Sequence, residues 1–208
     1  MNRIKCSLVV FLMSGALLSS AIAAPQRPTK GNEPSWPPAN GTATTMISLA
    51  PGAMPESFQR LCDASLLIVE GYVQSIFPPW INGKSLETDA VLLVTRVLKG
   101  PELTDHVVVS QTGGVLGQFK QVSPQYSLMD VGEHYILFLS ADTRTNPPLR
   151  GNIPRYWITG GGFAGAVRVD GDKIHLNEGL PKVFRDRNEG MSLQQTLAEI
   201  STTLLERR

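Results

Sequence analysis

The chain has 208 residues, with 19 Lys+Arg against 18 Asp+Glu and a formal charge of +1. A chain this close to neutrality has no basic surplus with which to seek nucleic acid or an anionic membrane surface. Its two cysteines, Cys6 and Cys62, cannot build a disulfide framework.

The first 24 residues follow the plan of a cleaved signal peptide. Arg3 and Lys5 form a positive head, Leu8 to Leu18 an apolar run, and Ala21-Ile22-Ala23 a small-x-small cleavage site. The run is shorter than the roughly 18–20 residues needed to span a bilayer, and no later run is longer, so no transmembrane segment is expected after cleavage. Export to the periplasm or the extracellular space is therefore expected. Cleavage removes Cys6 and leaves about 184 residues, room for one domain with tails. Cys62 is then alone, and its place in Arg60-Leu61-Cys62-Asp63 on a short amphipathic helix fits a small buried apolar residue better than a nucleophile.

Residues 25–54 are rich in Pro, Gly, Asn, Ser and Thr, a composition with too little apolar surface to offset the entropy of ordering it. A flexible or extended arm is expected there, from which Trp36 and Met46 could dock. Asn40-Gly41-Thr42 matches a glycosylation acceptor, a three-residue pattern that is common by chance.

A single domain is expected over 55–208. Glu56 to Asp63 reads as one or two helical turns, and residues 66–77 as an apolar strand with Gly71 marking a bulge. Pro78-Pro79-Trp80 and Asn82-Gly83 read as a loop. The strongest β pattern lies in Glu87–Gly114, as strands Ala90–Leu98 and His106–Gln111 about a Lys99-Gly100-Pro101 turn. Val91, Leu93, Thr95 and Val97 on one face, and Leu92, Val94, Arg96 and Leu98 on the other, predict a strand covered on both sides. A shorter strand near Gln118–Val122 comes next, then a strongly apolar one at 134–141. Arg155–Thr159 and Ala164–Val169 are predicted strands flanking Gly160-Gly161-Gly162, and Asp170-Gly171 turns into Lys173–Leu176. Glu178 to Gly190 reads as polar and irregular. Ser192 with Gln195 makes a capping box, and the Leu193, Leu197, Ile200 and Leu204 stripe predicts helix 193–206. These elements amount to a mainly β domain, a small OB-like barrel, closed or partly open, of five to seven strands with a C-terminal α-helix.

The wording Leu93-Val94-Thr95-Arg96-Val97-Leu98-Lys99-Gly100 resembles that of a widespread set of exported bacterial proteins. Around it stand Gly71-Tyr72-Val73, the Gly113-Gly114 turn and the Gly132-to-Leu139 strand, and the resemblance covers roughly 57–206. The same strand order is similar to that of the netrin-like domain, including the inhibitory domain of tissue inhibitors of metalloproteinases. This similarity implies a five-stranded OB-type barrel with a C-terminal helix. Those inhibitors rely on an N-terminal cysteine and several disulfides, so their inhibitory mechanism does not carry over to a chain with Cys62 alone.

Catalytic and cofactor motifs are thin. Gly160-Gly161-Gly162-Phe163-Ala164-Gly165 fits GxGxxG, but residues 166–171 continue as strand and hairpin rather than as the helix that would hold a phosphate. A bulge or a strand crossing needing positive φ is the expected reason for these glycines. His106, His134 and His175 lie on separate strands with no zinc-type spacing, though ligands from three strands can meet in space. Ser110 and Ser123 lack a nucleophile-elbow context, and Glu70, Asp89, Asp130 and Glu133 make no recognisable acid pair. Neither an enzyme, a cofactor nor a metal is therefore expected. Aromatic residues in or beside loops, with Phe77 among them, either cover the barrel ends or form a binding surface, for which the candidates are Trp80, Tyr126, Tyr156 and Trp157. The resulting expectation is a non-enzymatic module binding an unidentified protein or cell-envelope component. The alternative is a protease inhibitor or protease-associated netrin-like domain, and after it a metal-dependent hydrolase using the three histidines.

Overall fold

A computed structural model describes residues 43–46 (backbone only), 54–101, 105–144 and 146–206. The expected signal peptide, Trp36, Asn40-Gly41-Thr42 and most of the 25–54 arm lie outside the described residues.

The chain order begins with β1 (Ala43–Met46), α1 (Phe58–Ala64), β2 (Leu67–Ile76), β3 (Trp80–Asn82) and β4 (Ser85–Lys99). It continues with β5 (His106–Thr112), β6 (Gly114–Leu116), β7 (Phe119–Val122), β8 (His134–Ala141) and β9 (Arg155–Ile158). Last come β10 (Ala166–Asp170), β11 (Lys173–His175), α2 (Lys182–Asn188) and α3 (Leu193–Leu205). Five strands close on themselves. β2 pairs β4, β4 pairs β5, β5 pairs β9, β9 pairs β8 and β8 returns to β2. All of these pairings are antiparallel except β5–β9, which is parallel. The ring is an OB-like barrel with α3 as its C-terminal helix, as the sequence predicts. Among the described residues no helix is long and apolar enough to cross a membrane.

Alternation sorts the barrel side chains. Val69, Leu92, Val107, Val109, Leu137 and Ile158 point inward and are fully buried. Outward-facing Ile68, Ile136 and Phe138 meet Phe58, Phe163, Phe184 and Ile200, forming a second core between the sheet and the helices. Cys62 is buried in this layer, matching its reading as a packed apolar residue. Ser57 caps α1 by accepting from the Arg60 N–H, and α3 carries the expected capping box of Ser192 and Gln195.

Two glycine positions have a backbone reason. At Gly71 the β2–β4 register shifts, and a Cβ there would press into the Leu93 carbonyl oxygen, well inside van der Waals contact. Gly71→Ala should destabilise the fold by about 1–3 kcal/mol in urea unfolding, through overpacking against a backbone atom; an unchanged midpoint would show that the bulge has room to spare. Gly160, Gly161 and Gly162 all have φ between 74° and 87°. They turn the chain from β9 to β10, which pair successive stretches of one edge of β8. No helix follows them, and Ala166 resumes as strand.

Several expectations need correction. Trp80–Asn82 is a strand paired with Ser85–Glu87, not a loop, so β4 begins at Ser85 rather than Ala90. Glu178–Gly190 is not irregular throughout, because Lys182–Asn188 is helical with Phe184 anchored in the second core. Within the arm, the extended alternative applies at Ala43–Met46, a strand in parallel pairing with β7. Lastly, β4 is covered on both sides only through Leu92; beyond it Leu93, Thr95, Arg96 and Val97 are exposed, while Leu98 still packs against the second core.

Candidate functional site

The four aromatic residues singled out from the sequence do not share one surface. Trp80, on the β3 hairpin, donates from Nε1 to Asp89 Oδ1 at 3.3 Å. Trp157, on β9, has the Arg144 guanidinium 4.5 Å above its ring, and the same guanidinium is 5.8 Å from the Trp80 ring. Tyr156 packs against the barrel interior. Tyr126 stands apart from these, stacked on Phe163 with ring centroids 5.0 Å apart.

Trp80 and Trp157 border a buried ionic layer on the outer face of β4, β5 and β9. Outward-facing Glu87, Asp89 and Ser110 lie under the segment that carries Asp142, Arg144 and Arg150. Asp89 is fully buried and accepts from Arg155 Nη1 at 2.5 Å, Ser110 Oγ at 2.6 Å and Arg150 Nε at 3.0 Å. Glu87 accepts from Arg144 Nη1 at 3.0 Å, and Arg144 also grips Asp142 at 2.7 Å from both Nε and Nη2. Burial disfavours charge on Asp89, but the hydrogen bonds from Arg155, Ser110 and Arg150 outweigh it and hold this carboxyl below its ordinary value. At Glu87 burial wins over Arg144 and Thr112, and the carboxyl is pushed up. Three carboxylates here face three guanidiniums and are internally satisfied, so the layer works as a clamp holding the 142–150 segment to the barrel.

A different arrangement occupies one mouth of the barrel. Where β5 ends and β8 begins, a groove of about 500 Å³ opens between the 123–130 segment and the β10–β11 hairpin, with Gln111, Tyr126, Asp130, Glu133, Tyr135 and Arg168 among its walls. Tyr135 OH donates to Glu133 Oε2 at 2.7 Å, the Asp130 N–H reaches the same oxygen at 2.8 Å, and Arg168 Nη1 stands 3.5 Å from Oε1. Tyr126 OH donates to the Thr112 carbonyl at 2.6 Å. Burial first, and then neighbouring carboxylates, push both phenols upward, so both stay protonated donors.

The floor of the groove carries its most telling residue. Gln111 is only 3% exposed, and its Oε1 accepts the Met129 N–H at 2.9 Å. That bond fixes the amide orientation, leaving Nε2 as the free end, and Nε2 has no hydrogen-bond partner among the described residues. The buried side-chain atoms left without a partner among the described residues are Glu70 Oε2 and Asn188 Oδ1, so Gln111 Nε2 is instead open to the groove, where it offers a donor to a ligand acceptor.

The histidines do not converge. His134 Nε2 lies 3.1 Å from Glu70 Oε1 under a stacked Tyr72 ring, and Arg96 Nε stands 3.5 Å from Glu70 Oε2 as an ion pair without hydrogen-bond geometry. His175 Nδ1 pairs with Glu189 Oε1 at 3.0 Å. No set of three His, Cys, Asp or Glu side chains able to hold a metal occurs among the described residues. Ser110 donates to Asp89, and Ser123 Oγ accepts from the Gln125 N–H.

Sequence reasoning picked out Tyr126 but passed over Gln111, Arg168 and the arginines at 144, 150 and 155. The available signal was polar residues interrupting apolar strands, namely Glu87 and Asp89 in β4 and Ser110 and Gln111 in β5. No family model matches the chain, and no curated protein is similar enough to it to count as a match.

Proposed function

We infer that the chain is an exported, non-enzymatic binding module that receives a segment of a secreted or cell-envelope protein in the groove at the barrel mouth. The observation that carries this reading is Gln111, an almost fully buried amide on the groove floor whose nitrogen has no partner among the described residues. The groove volume lies in the range of pre-formed sites, and its walls combine the strand residues Gln111, Tyr135 and Arg168 with the 123–130 segment between β7 and β8. A photo-activatable residue at Ser127, on the groove wall, should capture a partner from the native compartment, whereas the same group at Lys182 on α2 should not. Capture at Lys182 alone, or substrate turnover abolished by changing a single polar residue, would overturn the reading.

A second reading, protease partnership, draws support from the OB-type strand order with its C-terminal helix and from nothing at the site itself. Titration against metalloproteases tests it, and absence of inhibition at micromolar concentration removes it.

A further inference from the structure

Given that the groove is a binding site, its charges narrow what it takes. Glu133 is matched by Tyr135, the Asp130 N–H and Arg168, and His175 by Glu189. The carboxylates of Asp130 and Glu178, both exposed and both on the groove wall, have no ion-pair partner among the described residues. The rim thus carries two unmatched negative charges, while Arg168, the groove's one wall guanidinium, is already engaged with Glu133. Below the rim, the Gln111 amide nitrogen asks for a hydrogen-bond acceptor. An anionic ligand would satisfy the floor but meet Asp130 and Glu178 on the way in. A neutral apolar ligand would leave both features unused.

We propose that the groove recognises a basic peptide segment, with a backbone carbonyl accepting from Gln111 Nε2 and a Lys or Arg side chain lying along Asp130 and Glu178. The two demands sit together in one residue of a polypeptide, whose carbonyl and side-chain cation are separated by a flexible stem. The protonated phenols of Tyr126 and Tyr135 add no charge and give the stem an aromatic wall. This inference rests on the binding-module reading and adds the class of ligand to it.

The test uses the full exported protein, observed by NMR during titration with Nα-acetyl-lysine methylamide, its norleucine counterpart and its glutamate counterpart. The lysine probe should shift the Gln111 side-chain amide and the 123–130 backbone saturably at millimolar concentration. Asp130→Asn with Glu178→Gln, both at exposed positions, should weaken that binding about three- to tenfold, and raised salt should weaken the wild-type interaction in the same direction. If the norleucine or glutamate probe binds the groove as tightly as lysine, or if the double variant binds lysine unchanged, the basic-peptide inference falls while the groove remains a binding site. If no probe shifts the groove but the Ser127 cross-link still captures a partner, again only the ligand class is wrong. If neither probe nor cross-link engages the groove, both readings fall.

Discussion

Asp89→Ala is expected to cost about 3–5 kcal/mol of stability in urea unfolding, because it leaves the Arg150 and Arg155 guanidiniums partly buried without their counter-ion. Ser110 Oγ and Trp80 Nε1 lose an acceptor in the same change. The cost belongs to the broken set rather than to the net worth of the ion pairs. Replacing Asp89, Arg150 and Arg155 together by apolar residues should therefore recover part of the loss. A single-variant cost under about 1 kcal/mol would place Asp89 among ordinary surface pairs and undo the clamp.

The two carboxyls of this layer also set opposite pH trends. Asp89 has a folded pKa below its ordinary 3.8, so its contribution is present above that value and is lost as pH falls through the depressed folded value. Glu87 has a folded pKa above its ordinary 4.5, so its contribution favours the folded state in acid and is lost as pH rises through the raised value. Stability measured from neutral pH downward should first gain from Glu87 and then drop as Asp89 protonates. Asp89→Asn should make the acid limb shallower, and an unchanged limb would contradict the assignment.

Phe58→Ala is expected to cost about 3–5 kcal/mol, the range for removing a fully buried aromatic side chain. Phe58 stacks on Phe138 at 6.0 Å and meets Phe184 edge-on at 5.1 Å, so it joins α1, the barrel wall and α2. The loss should be largest around α2, seen as faster amide exchange over 182–188 than over the β2–β4 pairing. Uniform acceleration across the barrel would mean that the helix layer and the barrel form one cooperative unit.

The helix layer and the barrel differ in how far they can be read from residues alone. α3 was legible because its capping box and three-to-four spacing are local and act within a single element. β8 was legible because an unbroken apolar run bounded by a Gly-Glu turn suits few other structures. α2 was not legible. Its N-cap, Pro181, offers no side-chain cap, Val183 is exposed, and Phe184 is its one large apolar anchor. The helix is held by the place Phe184 finds beside Phe58, which no window of a few residues contains. β1 and β3, at four and three residues, fail for the same reason. Their partners, β7 and the early part of β4, supply the order.

The candidate site was legible only in fragments. Tyr126 was picked out for its loop position, and it does line the groove, but Trp80 and Trp157 turned out to flank Arg144 and Tyr156 to pack on the barrel core. Gln111 and Asp89 were present as polar interruptions in apolar strands, and nothing local distinguishes a residue that pairs with an arginine from one that is left open to a cavity.

Residue order alone determined the mainly β character, the strand at 134–141, the bulge at Gly71, the turn at Gly160–Gly162 and the final helix, because periodicity, capping and backbone sterics act over three or four residues. Only the tertiary structure decided that β5 meets β9 in parallel to close the barrel, that Glu87 and Asp89 are matched by Arg144, Arg150 and Arg155, and that Gln111 faces a groove. Charge matching and cavity formation depend on which distant strands become neighbours, and that is settled when the ring closes.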